Sequence, residues 1–85
     1  MPVLHLNDTE VDIFLGGKFL IEPIITYKGK VAEGATVQYE ILSGSNLITL
    51  TDGLVTGTAY GTAIIKLSAE WNNVESISMQ ETLSV

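Results

Sequence analysis

The sequence has no cysteine and no arginine, and it has only two prolines and one histidine among 85 residues. Without cysteine no disulfide crosslinks the domain, and cysteine usage gives no information on the redox compartment. A Ser-His-Asp triad or a zinc site could use only this one imidazole, which argues against either kind of site. No stretch approaches about 18 consecutive apolar residues, so we expect no membrane-spanning segment. The N-terminus lacks a basic region followed by an apolar core, so we expect no signal peptide either.

Charged residues are also scarce. They make up 16% of the chain, and ten acids against four lysines give a net charge of −6. That sign argues against binding to nucleic acid and to anionic membrane surfaces. The 46% content of hydrophobic residues indicates a packed domain rather than disorder. The length fits one domain over residues 1–85, which we expect to be a module of a larger protein.

Turn signals recur at intervals of roughly ten residues. Glycine and asparagine adopt positive φ at low cost, so each cluster is a credible turn. Short runs rich in Val, Ile, Thr, Tyr and Phe separate them, which predicts an all-β fold of sandwich or barrel type. The turn signals are Gly16-Gly17, Lys28-Gly29-Lys30, Glu33-Gly34, Ser43-Gly44-Ser45-Asn46, Asp52-Gly53, Gly57, Gly61 and Asn72-Asn73.

The segment 62–71 shows the clearest alternation. Its odd positions are apolar from Ala63 to Trp71 and its even positions are mostly polar, which predicts a half-buried strand with the odd face inward. A helix is the alternative, because Ile64, Leu67 and Trp71 also fit a helical stripe. The segment is short and follows a glycine, so we favour the strand. The residues predicted to form the core are Ile65, Leu67, Val37, Tyr39, Ile41 and Val55.

Two positions predict irregular strands. Pro23 lies inside the run 19–27 and cannot donate to a ladder, so we expect a break, a bulge or an edge position there. Every second residue from 77 to 85 is apolar except one: Ile77, Met79, Leu83 and Val85 would share one strand face, and Glu81 would lie between them on that face. We therefore expect a bulge or an exposed strand end at Glu81.

No set of residues predicts catalysis or cofactor binding. His5 alternates with Leu4 and Leu6 and is expected to point outward. Asp8, Glu10 and Asp12 would share one strand face, which suits a hard cation, but a solvated acidic face is the favoured interpretation. The segment 57–61 lacks the Gly-Lys-Ser/Thr of a phosphate loop. We therefore expect no enzyme activity and no cofactor.

Surface contacts are the remaining candidates for function. Tyr60 lies in a predicted loop and is the best candidate for an exposed aromatic contact, because a ring can stack on a sugar face. Tyr39 is expected on a buried face, and Trp71 in the core or at its rim. The alternation of the predicted strands points three apolar side chains outward: Leu20, Ile24 and Ile64. If these residues cluster on the surface, they would mark an interface.

With turns and parities assigned, the chain resembles the group 2 bacterial immunoglobulin-like domain. Residues 47–57, ending in Val55-Thr56-Gly57, resemble that family's two short strands across an Asp-Gly turn. Residues 58–65 resemble its Ala-x-Gly-Thr-Ala-x-Ile entry into the penultimate strand, with Tyr60 where a small residue is usual. Residues 27–39 resemble its loop and third strand, with Tyr39 where Trp is frequent. The first eighteen residues match weakly.

The resemblance implies an immunoglobulin-like β-sandwich of about seven short strands in two sheets. It also implies a non-enzymatic structural or adhesion module, since the family shares no catalytic residues. Such modules decorate the virions of tailed phages, on capsid or tail, where weak contact with host-surface glycans is expected. The alternative is a spacer or adhesion module of a bacterial cell-surface protein of intimin or invasin type. Neighbouring domains of the parent protein are the other expected partners.

Overall fold

The fold is all-β. The computed structural model describes residues 1–85, with 58% of them in strands, no helix and several sheets, an arrangement compatible with a β-sandwich. No helix offers a membrane-spanning segment. The strands are β1 Val3–His5, β2 Glu10–Asp12, β3 Lys18–Leu20, β4 Ile24–Tyr27, β5 Lys30–Val31, β6 Thr36–Ser43, β7 Ile48–Thr51, β8 Leu54–Gly57, β9 Thr62–Trp71, β10 Val74–Glu75 and β11 Met79–Ser84.

The strand count differs from the prediction of about seven. Five of the eleven segments have only two or three residues, because turns and breaks interrupt the ladders. Pro23 shows how this happens: the run 19–27 is split into β3 and β4, which pair with different strands. The predicted break at Pro23 is therefore confirmed.

The largest sheet is built around β9. β6 pairs with one edge of β9, and β11 with β10 pair with the other edge, all antiparallel. β2 then adds to the far edge of β11 in parallel orientation. Two three-stranded sheets complete the fold, in the orders β1-β4-β5 and β3-β8-β7.

The core lies where the inward faces of these strands meet. The predicted parity of β9 is confirmed, because Ala63, Ile65, Leu67 and Ala69 are all buried and the helical alternative does not form. Val55 is fully buried as predicted. The three predicted core residues of β6 are only half-buried and pack against the core: Val37, Tyr39 and Ile41.

Three of the predicted turns close tight hairpins. Lys28 and Gly29 join β4 to β5 with φ of 51° and 81°. Asp52 and Gly53 join β7 to β8 with φ of 49° and 84°, and Asn72 and Asn73 join β9 to β10 with φ of 51° and 61°. Positive φ at both central residues is the requirement of a type I′ hairpin turn.

The predicted turn at Gly57 is wrong. Gly57 is buried at the end of β8, and its φ is not positive. A Cβ there would lie 2.9 Å from Val85 Cγ1 and 3.2 Å from the backbone oxygen of Phe14. Glycine is required by this close approach of neighbouring segments rather than by a turn. Gly61, at φ 145°, does precede β9 in a loop as expected.

The expectation for Glu81 is also wrong. Glu81 lies in regular register opposite Ile65, with no bulge, and its side chain is 0% exposed. Glu81 is therefore buried with the apolar residues on the same face of β11, although its side chain is ionisable. Ile77 shares that parity but is 71% exposed, because it lies before β11 begins.

The molecule is a rod with overall dimensions of 39 × 18 × 18 Å. Residue 2 lines a surface cleft with Trp71, at the end of β9. Val85 exchanges two backbone hydrogen bonds with Gly61, directly before the start of β9. Residues 1 and 85 therefore lie at opposite poles of the rod.

Candidate functional site

The polar side chains named in the sequence do not assemble into a catalytic or metal-binding set. His5 is exposed, and its Nε2 is 3.0 Å from the hydroxyl of Thr26 on the neighbouring strand. Asp8, Glu10 and Asp12 are all exposed. No three His, Cys, Asp or Glu side chains converge as they would around an ion. A contact surface is therefore the candidate site.

Tyr60 lies at the pole that holds Val85 and is 75% exposed, as its predicted loop position requires. The loop 58–61 is anchored on one side because the amides of Thr58 and Ala59 both donate to the carbonyl of Leu47, at 2.8 and 3.2 Å. It is anchored on the other side by the bonds between Gly61 and Val85. A fixed loop therefore presents a free ring.

Phe14 is a second exposed aromatic at the same pole. It is 90% exposed, although phenylalanine has no polar group that favours water. Its loop is tied to β8, because the amide of Gly16 donates to the carbonyl of Gly57 at 2.8 Å. The amide of Gly57 donates in turn to Gly17 at 3.1 Å. Gly57 therefore links the loop of Phe14 to the segment that leads to Tyr60.

Sequence reasoning missed Phe14. The available signal was an aromatic residue two positions before the Gly16-Gly17 turn, since turns lie at the surface. What the sequence did not give is the proximity to the Tyr60 loop, which depends on pairing across 40 residues of chain. The contact surface is defined here as Phe14, Leu15 and Tyr60, and is called the aromatic pole; Leu15 is 49% exposed.

The other aromatic side chains are not free for such contacts. Trp71 donates from Nε1 to the backbone oxygen of Glu33 at 2.9 Å, and its ring centroid is 5.0 Å from that of Tyr27. Both rings are half-buried, which confirms a rim position for Trp71. Tyr39 is half-buried, and burial raises the pKa of its hydroxyl, with a further contribution from the charge of Asp52.

The largest groove is polar and lies beside β6 and β9. It encloses about 350 Å³, and the linker between β10 and β11 forms one wall. That wall is fixed because Ser76 Oγ accepts from the amide of Ala69 at 3.0 Å. Tyr39 is the one hydrophobic residue that lines the groove, and it is half-buried. Its polar lining residues are Gln38, Glu40, Lys66, Ser68, Glu75, Ser76 and Ser78.

The outward apolar residues do not form the single cluster considered from the sequence. Leu20 and Ile24 are 47% and 55% exposed on the consecutive strands β3 and β4. Ile64 is half-buried in β9, in a different sheet. The three residues therefore define no common interface.

Comparison of the sequence with models of known protein families gives no match, and comparison with curated proteins gives none.

Proposed function

We propose that the chain is a non-enzymatic immunoglobulin-like module of the group 2 bacterial type. Two features of the strand pairing support this assignment. Residues 6–9 carry the chain from β1, which pairs with β4, to β2, which pairs in parallel with β11. The chain also passes directly from β3 in one three-stranded sheet to β4 in the other, with Ile21 and Ile25 both buried on the same parity. We therefore assign these two sheets to one layer and the five-stranded sheet to the other, which is the arrangement expected of an immunoglobulin-like sandwich.

We further propose that the module is displayed on the surface of a tailed-phage virion, on capsid or tail, and makes weak contacts with host-surface glycans. The observation that carries the glycan contact is the aromatic pole, where Phe14 and Tyr60 expose their rings at one end of the rod. Aromatic rings stack on the apolar faces of sugar rings, and the Tyr60 hydroxyl adds a hydrogen-bonding group. The virion location rests on the family resemblance.

Weak contacts suffice when many copies act together. One stacked ring contributes only a small binding free energy, so a single domain is expected to bind a glycan with low affinity. Linked or clustered copies convert later contacts into intramolecular ones and raise the overall avidity by about 10²–10⁴-fold. A particle that carries many copies meets this condition.

The test is a glycan array probed with the full chain coupled in many copies to fluorescent particles, followed by adsorption of the same particles to host cells. We expect Phe14→Ala with Tyr60→Ala to abolish binding. The matched control is Ile77→Ala, an apolar residue 71% exposed that lies beside Met1 and Pro2, away from the aromatic pole. Retained binding by the double variant would exclude the aromatic pole as the contact surface.

A second candidate function is an architectural spacer in a bacterial cell-surface protein of intimin or invasin type. The observation that favours it is the placement of residues 1 and 85 at opposite poles, because modules of this shape connect in series. Neighbouring domains are then the partners, with one rod stacked on the next. If the wild-type chain binds no glycan in many copies and the flanking sequence encodes tandem copies behind a signal peptide, the spacer function replaces the adhesion function.

A further inference from the structure

The core contains one charged side chain, Glu81, and nothing in the structure compensates it. Its side chain is 0% exposed, and neither Oε1 nor Oε2 has a hydrogen-bond partner. The other buried polar side chain, Ser76, is hydrogen-bonded. A buried carboxylate without donors is strongly disfavoured, because it loses hydration and gains no replacement.

Residues 6–9 connect β1 to β2 and reach the edge of β11 beside Glu81. β2 pairs with β11 only from Thr82 to Ser84, so Glu81 lies just beyond the end of that pairing. At this point the amide of Thr82 donates to the carbonyl of Thr9 at 2.8 Å. We call residues 6–9 the strap.

The strap has few other attachments. Asn7 Oδ1 accepts a long bond of 3.4 Å from the amide of Glu22, and both residues are exposed. Leu6 is half-buried against the core, whereas Asn7, Asp8 and Thr9 are exposed. Segments with few buried contacts and exposed hydrogen bonds open at lower free energy than the rest of a fold.

The charged groups around Glu81 do not favour its ionised form. Burial and, to a smaller extent, the negative charge of Asp8 on the strap together raise the pKa of Glu81 to about 7. On β2, Glu10 and Asp12 are exposed and take the parity opposite to Val11. On β9, Lys66 takes the parity opposite to Ile65, and on β1, His5 is exposed. No cation faces the carboxylate from these strands.

We propose that residues 6–9 are a proton-controlled strap: a neutral Glu81 carboxyl keeps the strap closed on β11, and ionisation of Glu81 favours an open state in which water reaches the carboxylate. Opening requires only the loss of the Thr9 and Asn7 bonds and the exposure of Leu6. The proton released on opening goes to solvent. This device is independent of the glycan contact, since the aromatic pole is held by other bonds.

The test is residue-resolved amide hydrogen exchange of the full chain between pH 5.5 and 8.5, corrected for intrinsic exchange rates. The amide of Thr82 reports on the strap directly, and the amides at the centre of β9 report on global unfolding. We expect the open population measured at Thr82 to rise roughly ten- to thirtyfold over this pH range, by linkage to one carboxyl group. Low denaturant should accelerate exchange in β9 far more than at Thr82, because strap opening exposes little surface.

Three variants complete the test. Glu81→Gln should remove the pH dependence at Thr82, and Glu81→Met should do the same if the glutamine variant folds poorly. Glu10→Gln is the matched control, because it removes an exposed carboxylate from the adjoining strand and should leave the wild-type profile intact. The proposal is overturned if Thr82 and β9 share the same denaturant dependence at each pH, or if the wild-type pH profile persists in the Glu81 variants.

Discussion

Glu81 and Ile65 lie directly opposite each other in the register of β11 and β9, and both side chains are 0% exposed. A charged residue thus occupies a ladder position with the same burial as the central core isoleucine. The chain tolerates it because the carboxyl group is neutral over part of the ordinary pH range. This relationship makes the stability of the fold depend on pH in a defined direction.

The first prediction concerns that pH dependence. Burial, with a contribution from the charge of Asp8, raises the pKa of Glu81 from 4.5 to about 7 in the folded state. A raised carboxyl pKa means that the folded state binds the proton more tightly than the unfolded state. The stabilisation is therefore complete below about pH 4.5 and is lost as pH rises toward 7. We expect the free energy of unfolding to fall by about 1–3 kcal/mol between pH 5 and 8.

Urea denaturation at a series of pH values measures this change. In Glu81→Gln the slope over that range should be smaller than in the wild type by the same amount. Asp8→Asn should move the midpoint of the transition to lower pH, because the Asp8 charge contributes to the raised pKa. A wild-type stability that increases from pH 5 to 8 would contradict the assignment of Glu81 as a buried acid.

The second prediction concerns Ile65. We expect Ile65→Ala to lower the free energy of unfolding by about 2–5 kcal/mol, because it removes a fully buried side chain and leaves a cavity. Ile64→Ala is the matched control, since Ile64 is the preceding residue of the same strand and is half-buried on the other face. The control should be destabilised by clearly less. Equal losses in urea denaturation would mean that the assigned inward face of β9 is wrong.

Local patterns predicted much of this fold. Alternation identified β9 and its inward face, the Asp52-Gly53 pair identified the β7–β8 hairpin, and Pro23 marked the break between β3 and β4. Each of these signals depends on a few consecutive residues and on backbone geometry alone. The all-β class follows from such signals without any long-range information.

The errors share a different cause, which is long-range packing. Glu81 was expected at a bulge or an exposed end because charge normally excludes burial, but the pairing of β11 with β9 and β2 places it inward. Gly57 was expected in a turn, but the approach of Val85 and Phe14 explains it. The aromatic pole was only half-predicted, because backbone bonds between distant segments place the loops of Phe14 and Tyr60 at the same end of the rod.

The third prediction compares two glycines with similar backbone conformations. Gly29 and Gly44 have φ of 81° and 76°, which alanine adopts at a cost of about 1–2 kcal/mol. A Cβ at Gly29 would have no atom within 4 Å, whereas a Cβ at Gly44 would lie 2.8 Å from both Cα and Cβ of Ala63. Gly44→Ala therefore adds a clash with the backbone of β9, which is fixed by ladders on both edges.

We expect Gly29→Ala to lose about 1–2 kcal/mol in urea denaturation, from backbone strain alone. Gly44→Ala should lose at least about 2 kcal/mol more, in the range typical of overpacked cores. Similar losses for the two variants would show that the turn before β7 moves away from β9 at little cost.

The last prediction concerns Trp71, the single tryptophan of the chain. Its Nε1 donates to the carbonyl of Glu33 at 2.9 Å, and this bond fixes the loop before β6 to the end of β9. Trp71→Phe keeps an aromatic ring beside Tyr27 but removes the donor and some buried surface. Loss of the hydrogen bond alone contributes about 1 kcal/mol. We therefore expect the free energy of unfolding to fall by about 1–2 kcal/mol in total, measured by circular dichroism because the fluorescent probe is removed.

Tyr60→Phe is the control, since it removes a hydroxyl from an exposed ring and should change the free energy of unfolding by less than about 0.5 kcal/mol. If both variants unfold at the same urea concentration, the Trp71–Glu33 bond does not stabilise the rim of the fold.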